Sequence, residues 1–479
     1  MKILPETALT YDDVLLVPQY SDVDSRRALS TKTWLTRQIA LQVPIVSANM
    51  DVVTESEMGI AMAREGGIGI IHRFMTIAAQ ARHIDRVKKA ESFIVDKPIT
   101  MTESNTVGDV KQVVNETGTG GILIVDKDQK LIGIVSTRDL LFEDDPAKPV
   151  TAIMSRQVRS APPDTSLKEA ERLLHEHRVE KLPLVDADGR VVGLVTLKDI
   201  MKITQFPKAT KDAKGRLSVG AAVGVRDREM RRVEAVLQAG ADCIVVDIAH
   251  GASQLEVEMI RQIRRRFPEA QIIGGNVATA EGTKRLIDAG ADAVKVGVGP
   301  GSICITRIVA GSGIPQLTAV IECAAAAREY GVPIIADGGI RQPGDLAKAI
   351  AAGAQTAMIG SLLAGTDESP GLIMTRRGHR YKASRGMASL EANIERNKRE
   401  GNDLTHEEIE DYVAEGVEAA VPYRGKVREV LTQLVGGLQS GMSYSGADSI
   451  EEFQEKAIFV RMTGAGLKES GPHDVEVLT

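Results

Sequence analysis

The chain has 479 residues, of which 43% are hydrophobic, 26% charged and only 3% aromatic. That length holds more than one core, because a single core seldom grows past roughly 250–300 residues. The net charge of −6 supplies no basic footprint for nucleic acid or an anionic membrane surface, so any nucleotide bound here is expected to be a small molecule.

No apolar run approaches the ~20 residues needed to cross a bilayer. The start, Met1-Lys-Ile-Leu-Pro-Glu-Thr7, lacks a signal-peptide pattern. Cys243, Cys304 and Cys323 are too few for a disulfide framework and point to a reducing cytoplasm.

In chain order, Val43-Pro-Ile-Val-Ser47 reads as the first buried parallel strand. From about residue 94 to 203 the texture changes, and an internal repeat appears with an offset of 60: Gly121-Ile-Leu-Ile-Val-Asp126 aligns with Lys181-Leu-Pro-Leu-Val-Asp186, and Gly133–Leu140 with Gly193–Ile200. Each half reads helix, strand, turn, strand, helix, so two halves can bury their apolar faces against one another. The reading divides the chain into a catalytic part, 1–93 and 204–479, and an insert, 94–203, with repeats at about 94–150 and 151–203. The repeats resemble a pair of CBS modules, which commonly bind adenine or guanine nucleotides. That resemblance makes Thr137 with Asp139, and Thr196 with Asp199, candidates for ribose contacts to ATP or GTP. The alternative for each Asp is a helix cap.

After the insert, strands are predicted at Cys243–Asp247, Gln271–Gly275, Ala293–Gly297, Pro333–Asp337 and Ala357–Ser361. Helices between them end in Ala-Gly-Ala-Asp at Ala239–Asp242 and Ala289–Asp292, where Gly closes a helix in the left-handed conformation. Repeated βα units predict an α/β fold, a (β/α)8 TIM barrel rather than an open sheet. Asp247, Asn276, Gly297, Asp337 and Ser361 all fall at or just after strand C-termini, positions that converge on one mouth of such a barrel.

Gly297-Val-Gly-Pro-Gly-Ser302 is too compact for a dinucleotide fingerprint and reads as a tight loop presenting amides and Ser302 to an anion. Cys304, Thr306 and Arg307 follow. A thiol in that setting is a candidate nucleophile, whereas Cys243 in a strand and Cys323 in an Ala-rich helix read as small buried hydrophobes.

This loop, with Leu9-Thr-Tyr-Asp-Asp-Val-Leu-Leu-Val-Pro18, Ala336-Asp-Gly-Gly-Ile-Arg341, Met358–Thr366 and Tyr381-Lys-Ala-Ser-Arg-Gly-Met387, resembles the family of IMP dehydrogenases and GMP reductases over essentially the whole chain. The resemblance implies that Ser302, Gly339, Gly360, Ser361 and Tyr381 hold a 5′-phosphate and that Asp337 accepts from the ribose. It places Ser47, Asn49, Met50, Met387 and Glu415 at the substrate. Asp247, Asn276, Gly297 and Gly299 would then face a nicotinamide coenzyme. Carbonyls of Gly299, Gly301 and Cys304 would take K+, with help from a neighbouring subunit's Glu469-Ser-Gly tail. Homotetramers or homo-octamers are implied as well.

Both family reactions pass through a Cys304 adduct at purine C2. The dehydrogenase oxidises IMP with NAD and hydrolyses the adduct with an Arg-Tyr pair on a flap. The reductase converts GMP to IMP and ammonia with NADPH and relies on a Thr and a Glu beside the Cys, here Thr306 and Glu415. Between Met387 and Glu415 there is no Arg-Tyr dipeptide: Arg396 precedes Asn, Arg399 precedes Glu, and Tyr412 follows Asp411. That stretch reads as helical. Asn49 before Met50 also resembles reductases, and Ala388 stands where dehydrogenases carry Gly. The insert and the Glu469-Ser tail resemble dehydrogenases. The expectation is a GMP reductase on a dehydrogenase frame, with IMP dehydrogenase or a catalytically weak nucleotide-binding regulator as alternatives.

Overall fold

A computed structural model describes residues 3–91, 94–95, 98–204, 206–399, 409 and 412–472. The chain divides into two compact units, Met1–Lys88 with Lys208–Asp212 and Leu217–Thr479, and Lys89–Pro207 with Ala213–Arg216.

The first unit is a closed parallel barrel. Its strands are Ile45–Ser47 (β1), Ile68–Ile71 (β2), Val219–Val223 (β3), Cys243–Asp247 (β4), Gln271–Val277 (β5), Ala293–Val296 (β6), Ile334–Asp337 (β7) and Thr356–Ile359 (β8). Each pairs with the next in the chain. β8 pairs β1 with Ala357 opposite Ile45, and β2 pairs β3 with Gly69 opposite Val219. Both faces of these strands are buried, as in Val219-Gly-Ala-Ala-Val223 where every residue is covered. Small residues are required inside so closed a sheet. A Cβ on Gly220 would lie 2.5 Å from Ile70 Cδ1 and 2.7 Å from Cys243 Sγ.

The predicted strand at Val43–Ser47 begins two residues late, at Ile45, because Pro44 has no N–H for the ladder. Helix Ala280–Ala289 ends on Gly290 at φ 110° as its Ala-Gly-Ala-Asp sequence predicts. Beyond β8, an antiparallel sheet of Ile373–Arg376 (β9), His379–Arg385 (β10) and Glu418–Pro422 (β11) follows, with helix Leu390–Arg399 between its last two strands. Among the described residues no helix is long and apolar enough to cross a membrane.

The second unit carries the repeat. Helix Val107–Thr117, strands Gly121–Val125 and Leu131–Ser136, and helix Thr137–Leu141 recur as Leu167–His177, Lys181–Val185, Val191–Thr196 and Leu197–Thr204. Every one of those starts is displaced by the 60 residues seen in the sequence. Each half has its own core, Val107, Val110, Ile122, Ile124 and Val135 in one and Ala170, Leu174, Leu182, Leu184 and Val195 in the other. The two turns join the halves: Leu131 N donates to Gly189 O at 3.0 Å and Val191 N to Gln129 O at 3.1 Å.

Candidate active site

The C-terminal ends of the barrel strands enclose two adjoining cavities. The larger, about 390 Å³, is lined by Asn49, Arg73, Asp247, Asn276, Lys295, Gly297, Gly299, Cys304, Thr306, Met387, Tyr412 and Glu415. The smaller, about 260 Å³, is lined by Ser302, Gly338, Gly339, Gly360 and Ser361. Met50, Gly301, Ile303, Asp337 and Met358 border both. One elongated ligand can therefore reach from a glycine-rich anion cradle, past a carboxylate, to the thiol.

Glycine is required where the loops crowd. Gly297 has φ 153°, and a Cβ there would sit 2.1 Å from Asp337 O. Gly299 has φ 82°, with Arg307 Cγ 2.6 Å from the position of a Cβ. Arg307 holds this loop from below, its Nε donating to Val298 O at 3.2 Å and its Nη2 to Ile314 O at 2.6 Å.

Cys304 is half-buried, whereas Cys243 and Cys323 are fully enclosed. Burial pushes both of those thiols up, which keeps them protonated and inert. Cys304 Sγ lies 3.2 Å from Thr306 Oγ1, and that hydroxyl donates to Glu415 Oε2 at 2.7 Å. Backbone bonds fix the trio: Ile305 N donates to Glu415 O at 2.9 Å and Val417 N to Ile303 O at 3.1 Å. A carboxylate 111 positions along the chain from the thiol is thus delivered by strand-like pairing of two loops.

Lys295 is the member that sequence reasoning missed. Its side chain is almost fully buried, and Nζ stands 2.8 Å from Asp247 Oδ1 and 2.8 Å from Asp337 Oδ2. It also donates to Asn276 Oδ1. Burial disfavours the ammonium, but the two carboxylates outweigh burial and hold it charged. Burial likewise pushes Asp247 up, yet Lys295 reverses the shift and leaves its carboxyl below the usual range. Asn49 Nδ2 donates to Asp247 Oδ2 at 3.0 Å, and Asn276 Nδ2 to Asp337 Oδ2 at 3.0 Å and Gly297 O at 2.7 Å. One network therefore spans the whole mouth.

The profile of the "IMP dehydrogenase / GMP reductase domain" matches residues 8–473. The chain belongs to this family. It is 52% identical to inosine-5′-monophosphate dehydrogenase of Nitrosopumilus maritimus, over 98% of both chains. It is 48% identical to GMP reductase of Leishmania donovani, over 99% of this chain and 98% of that one. A solved Trypanosoma brucei GMP reductase, a cysteine-to-alanine variant in complex with guanosine 5′-monophosphate, superposes with a TM-score of 0.87 at 47% identity, covering 98% of each chain. This family member is thus an oxidoreductase of purine nucleotides that uses a nicotinamide coenzyme.

Most residues implied by the family resemblance line the two cavities, but not all. Ser47 is fully buried in β1, where Thr54 Oγ1 donates to its hydroxyl at 2.8 Å, so it braces the strand and lines neither cavity. Tyr381 lies in β10 opposite Met374 and Pro422 and is likewise outside both linings. Of the carbonyls expected at K+, that of Gly301 accepts from Cys304 N at 3.1 Å; its second lone pair remains compatible with a cation. In the first repeat Asp139 closes a capping box on Ser136, whose N and Oγ donate to it at 2.8 and 2.7 Å. Ser136, not Thr137, is the counterpart of Thr196, since Thr137 aligns with Leu197. The side chain of Asp199 lies outside the described residues, as do those of Arg396 and Arg399. Glu469 ends the exposed helix Gly464–Glu469.

Proposed function

We propose that this protein is a GMP reductase, converting GMP to IMP and ammonia with NADPH. The observation that carries the reading is an assembled Cys304–Thr306–Glu415 relay in a chain with no Arg-Tyr pair between Met387 and Glu415. Arg385, just before this segment, is committed to Asp51, with Nε donating at 3.0 Å. Tyr412 does line the cavity, but its hydroxyl is turned to Ala388 O at 3.3 Å. General-base help in hydrolysis is worth about 10²–10⁴ in rate, so a site without that pair is poorly equipped to release XMP.

Ser302 and the amides of Gly339, Gly360 and Ser361 would hold the 5′-phosphate. Asp337 would accept from the ribose, and Met50 and Met387 would flank the purine, bringing C2 to Cys304. The thiolate bonds to C2. Glu415, having taken the Cys304 proton through Thr306, returns it by the same path to the departing exocyclic nitrogen, which leaves as ammonia as the C2–N bond breaks. NADPH, when bound beside Asp247 and Asn276, supplies the hydride that arrives at C2. The C2–S bond then breaks, releasing IMP and restoring the thiolate. The loop carbonyls of Gly299, Gly301 and Cys304 would take K+.

The insert is read as a tandem CBS module that binds ATP or GTP, on the strength of its exact 60-residue structural repeat. A solved Trypanosoma brucei GMP reductase in complex with guanosine 5′-triphosphate, 43% identical with a TM-score of 0.75 over 96% of this chain, supports guanine nucleotide as the ligand class. A homotetramer or homo-octamer is proposed with it.

The second reading is IMP dehydrogenase, favoured by the 52% identity to the Nitrosopumilus enzyme. Purified protein given GMP and NADPH should oxidise the coenzyme and release one ammonia per IMP. A comparable or faster reduction of NAD with IMP would replace the reductase reading with the dehydrogenase. Absence of turnover in both directions, with nucleotide still bound, would indicate a regulator.

A further inference from the structure

Glu256 is the third residue of helix Gln254–Arg266, whose cap Ser253 accepts from its backbone N–H. A glutamate at that position commonly turns back to its own helix end. This one reaches inward instead. It is completely buried, and Oε1 accepts from Gly275 N at 2.5 Å. Gly275 and Asn276 are then held from the other side, with Ile248 N donating to Gly275 O at 3.1 Å and Asn276 N to Ile248 O at 3.0 Å. The Asn276 amide projects from this clamp into the larger cavity, between Gly297 O and Asp337.

The second oxygen of Glu256 is buried without a hydrogen-bond partner. The loop after β4 closes tightly over it: a Cβ on Gly251 would lie 2.8 Å from Oε2 and 3.0 Å from Asn276 O. Burial pushes the acid up to about 9; the Gly275 N–H and Lys295 act against that shift and the Asp247 carboxylate adds to it. The charged groups facing it are Asp247 from β4 and Lys295 from β6. On the neighbouring helix Ala280–Ala289, Glu281 and Arg285 pair with each other and Lys284 with Glu329 at the surface. A lone unpartnered oxygen in such a place is tolerable on a neutral acid and costly on an anion.

We propose that Glu256 is a positioning residue for hydride transfer: its carboxyl fixes the Gly275–Asn276 segment, and through it the Asn276 amide, where the nicotinamide ring is received. The proposal rests on the coenzyme lying beside Asp247 and Asn276, and it holds for either direction of hydride transfer. A leucine at 256 would leave the Gly275 N–H buried without an acceptor, whereas a glutamine keeps an acceptor and cannot ionise.

The test uses the full-length protein with E256Q and E256L, assayed with GMP and NADPH and with IMP and NAD. Coenzyme affinity is read separately from NADPH fluorescence with IMP present. E256L should weaken coenzyme binding and raise its KM about tenfold, the usual consequence of one unmet buried donor, with the KM for nucleotide little changed. E256Q should restore both at neutral pH. Wild-type coenzyme affinity in a folded E256L, or an E256Q that binds coenzyme no better than E256L, overturns the proposal. If the parent turns over only IMP, the reductase reading falls while the same coenzyme KM values still judge Glu256. If it turns over neither nucleotide, the fluorescence titration judges it.

Discussion

Thr306 donates its hydroxyl hydrogen to Glu415 Oε2 at 2.7 Å and keeps its oxygen 3.2 Å from the sulfur of Cys304. A hydroxyl so placed can pass a proton between a carboxyl and a leaving group at the thiol without moving a heavy atom. T306V breaks the relay while nearly preserving volume, and E415Q removes its proton source. Each should lower ammonia release from GMP by about 10²–10⁴, the span of general acid–base help. Release within a few-fold of the parent would remove the relay from the mechanism.

C304A should abolish turnover in both directions yet leave GMP binding nearly intact, because the anion cradle and Asp337 lie in the adjoining cavity. Calorimetric titration of GMP against the variant separates the two effects. Retained turnover would show that the adduct forms elsewhere or not at all.

The barrel was legible because strands buried on both faces leave runs of Val, Ile and Ala, and because polar residues recur at strand ends. The 60-residue repeat was legible for the same reason, its two apolar patterns matching position by position. Lys295 was not. In Ala293-Val-Lys-Val296 it looks like an outward strand residue, and only closure of the barrel turns it inward between two carboxylates. Glu256 was hidden by its helix, where a first-turn acid looks like a cap. Ser47 misled in the opposite sense, since a hydroxyl at a strand end can serve the fold as well as a ligand. The one-residue slip at Ser136 and the two-residue slip at Pro44 are local: a cap and a missing N–H decide them.

K295M should damage the site beyond the loss of one charge. It would take from the Asp247 and Asp337 carboxylates the ammonium they share, and unpairing a buried charge costs about 3–5 kcal/mol. Denaturation midpoints and the Kd for GMP should both worsen, and K295R should recover part of the stability by restoring the charge. Unchanged stability in K295M would mean that solvent, not Lys295, neutralises the pair.

Deleting residues 94–203 and rejoining the barrel tests the regulatory reading of the insert. The barrel unit closes its own sheet without that segment, so basal turnover should survive. Responses of the parent to added ATP or GTP should vanish. A truncated enzyme that answers those nucleotides as the parent does would place their site in the barrel.

Glu256 also predicts how the barrel's stability varies with pH. Its folded value of about 9 lies above the ordinary 4.5, so unfolding lets the acid ionise and release a proton. The stabilisation is therefore complete below pH ~4.5 and is lost progressively as pH rises through about 9, at no more than about 1.4 kcal/mol per pH unit. E256Q has nothing to titrate there. Between pH 6 and 8.5 the parent should lose about 3 kcal/mol relative to E256Q. Trp34, the one tryptophan of the chain, belongs to the barrel unit, so urea denaturation followed by its fluorescence reads that unit alone. Parallel stability curves for parent and E256Q would mean the carboxyl is already ionised in the folded barrel, with a donor for its second oxygen.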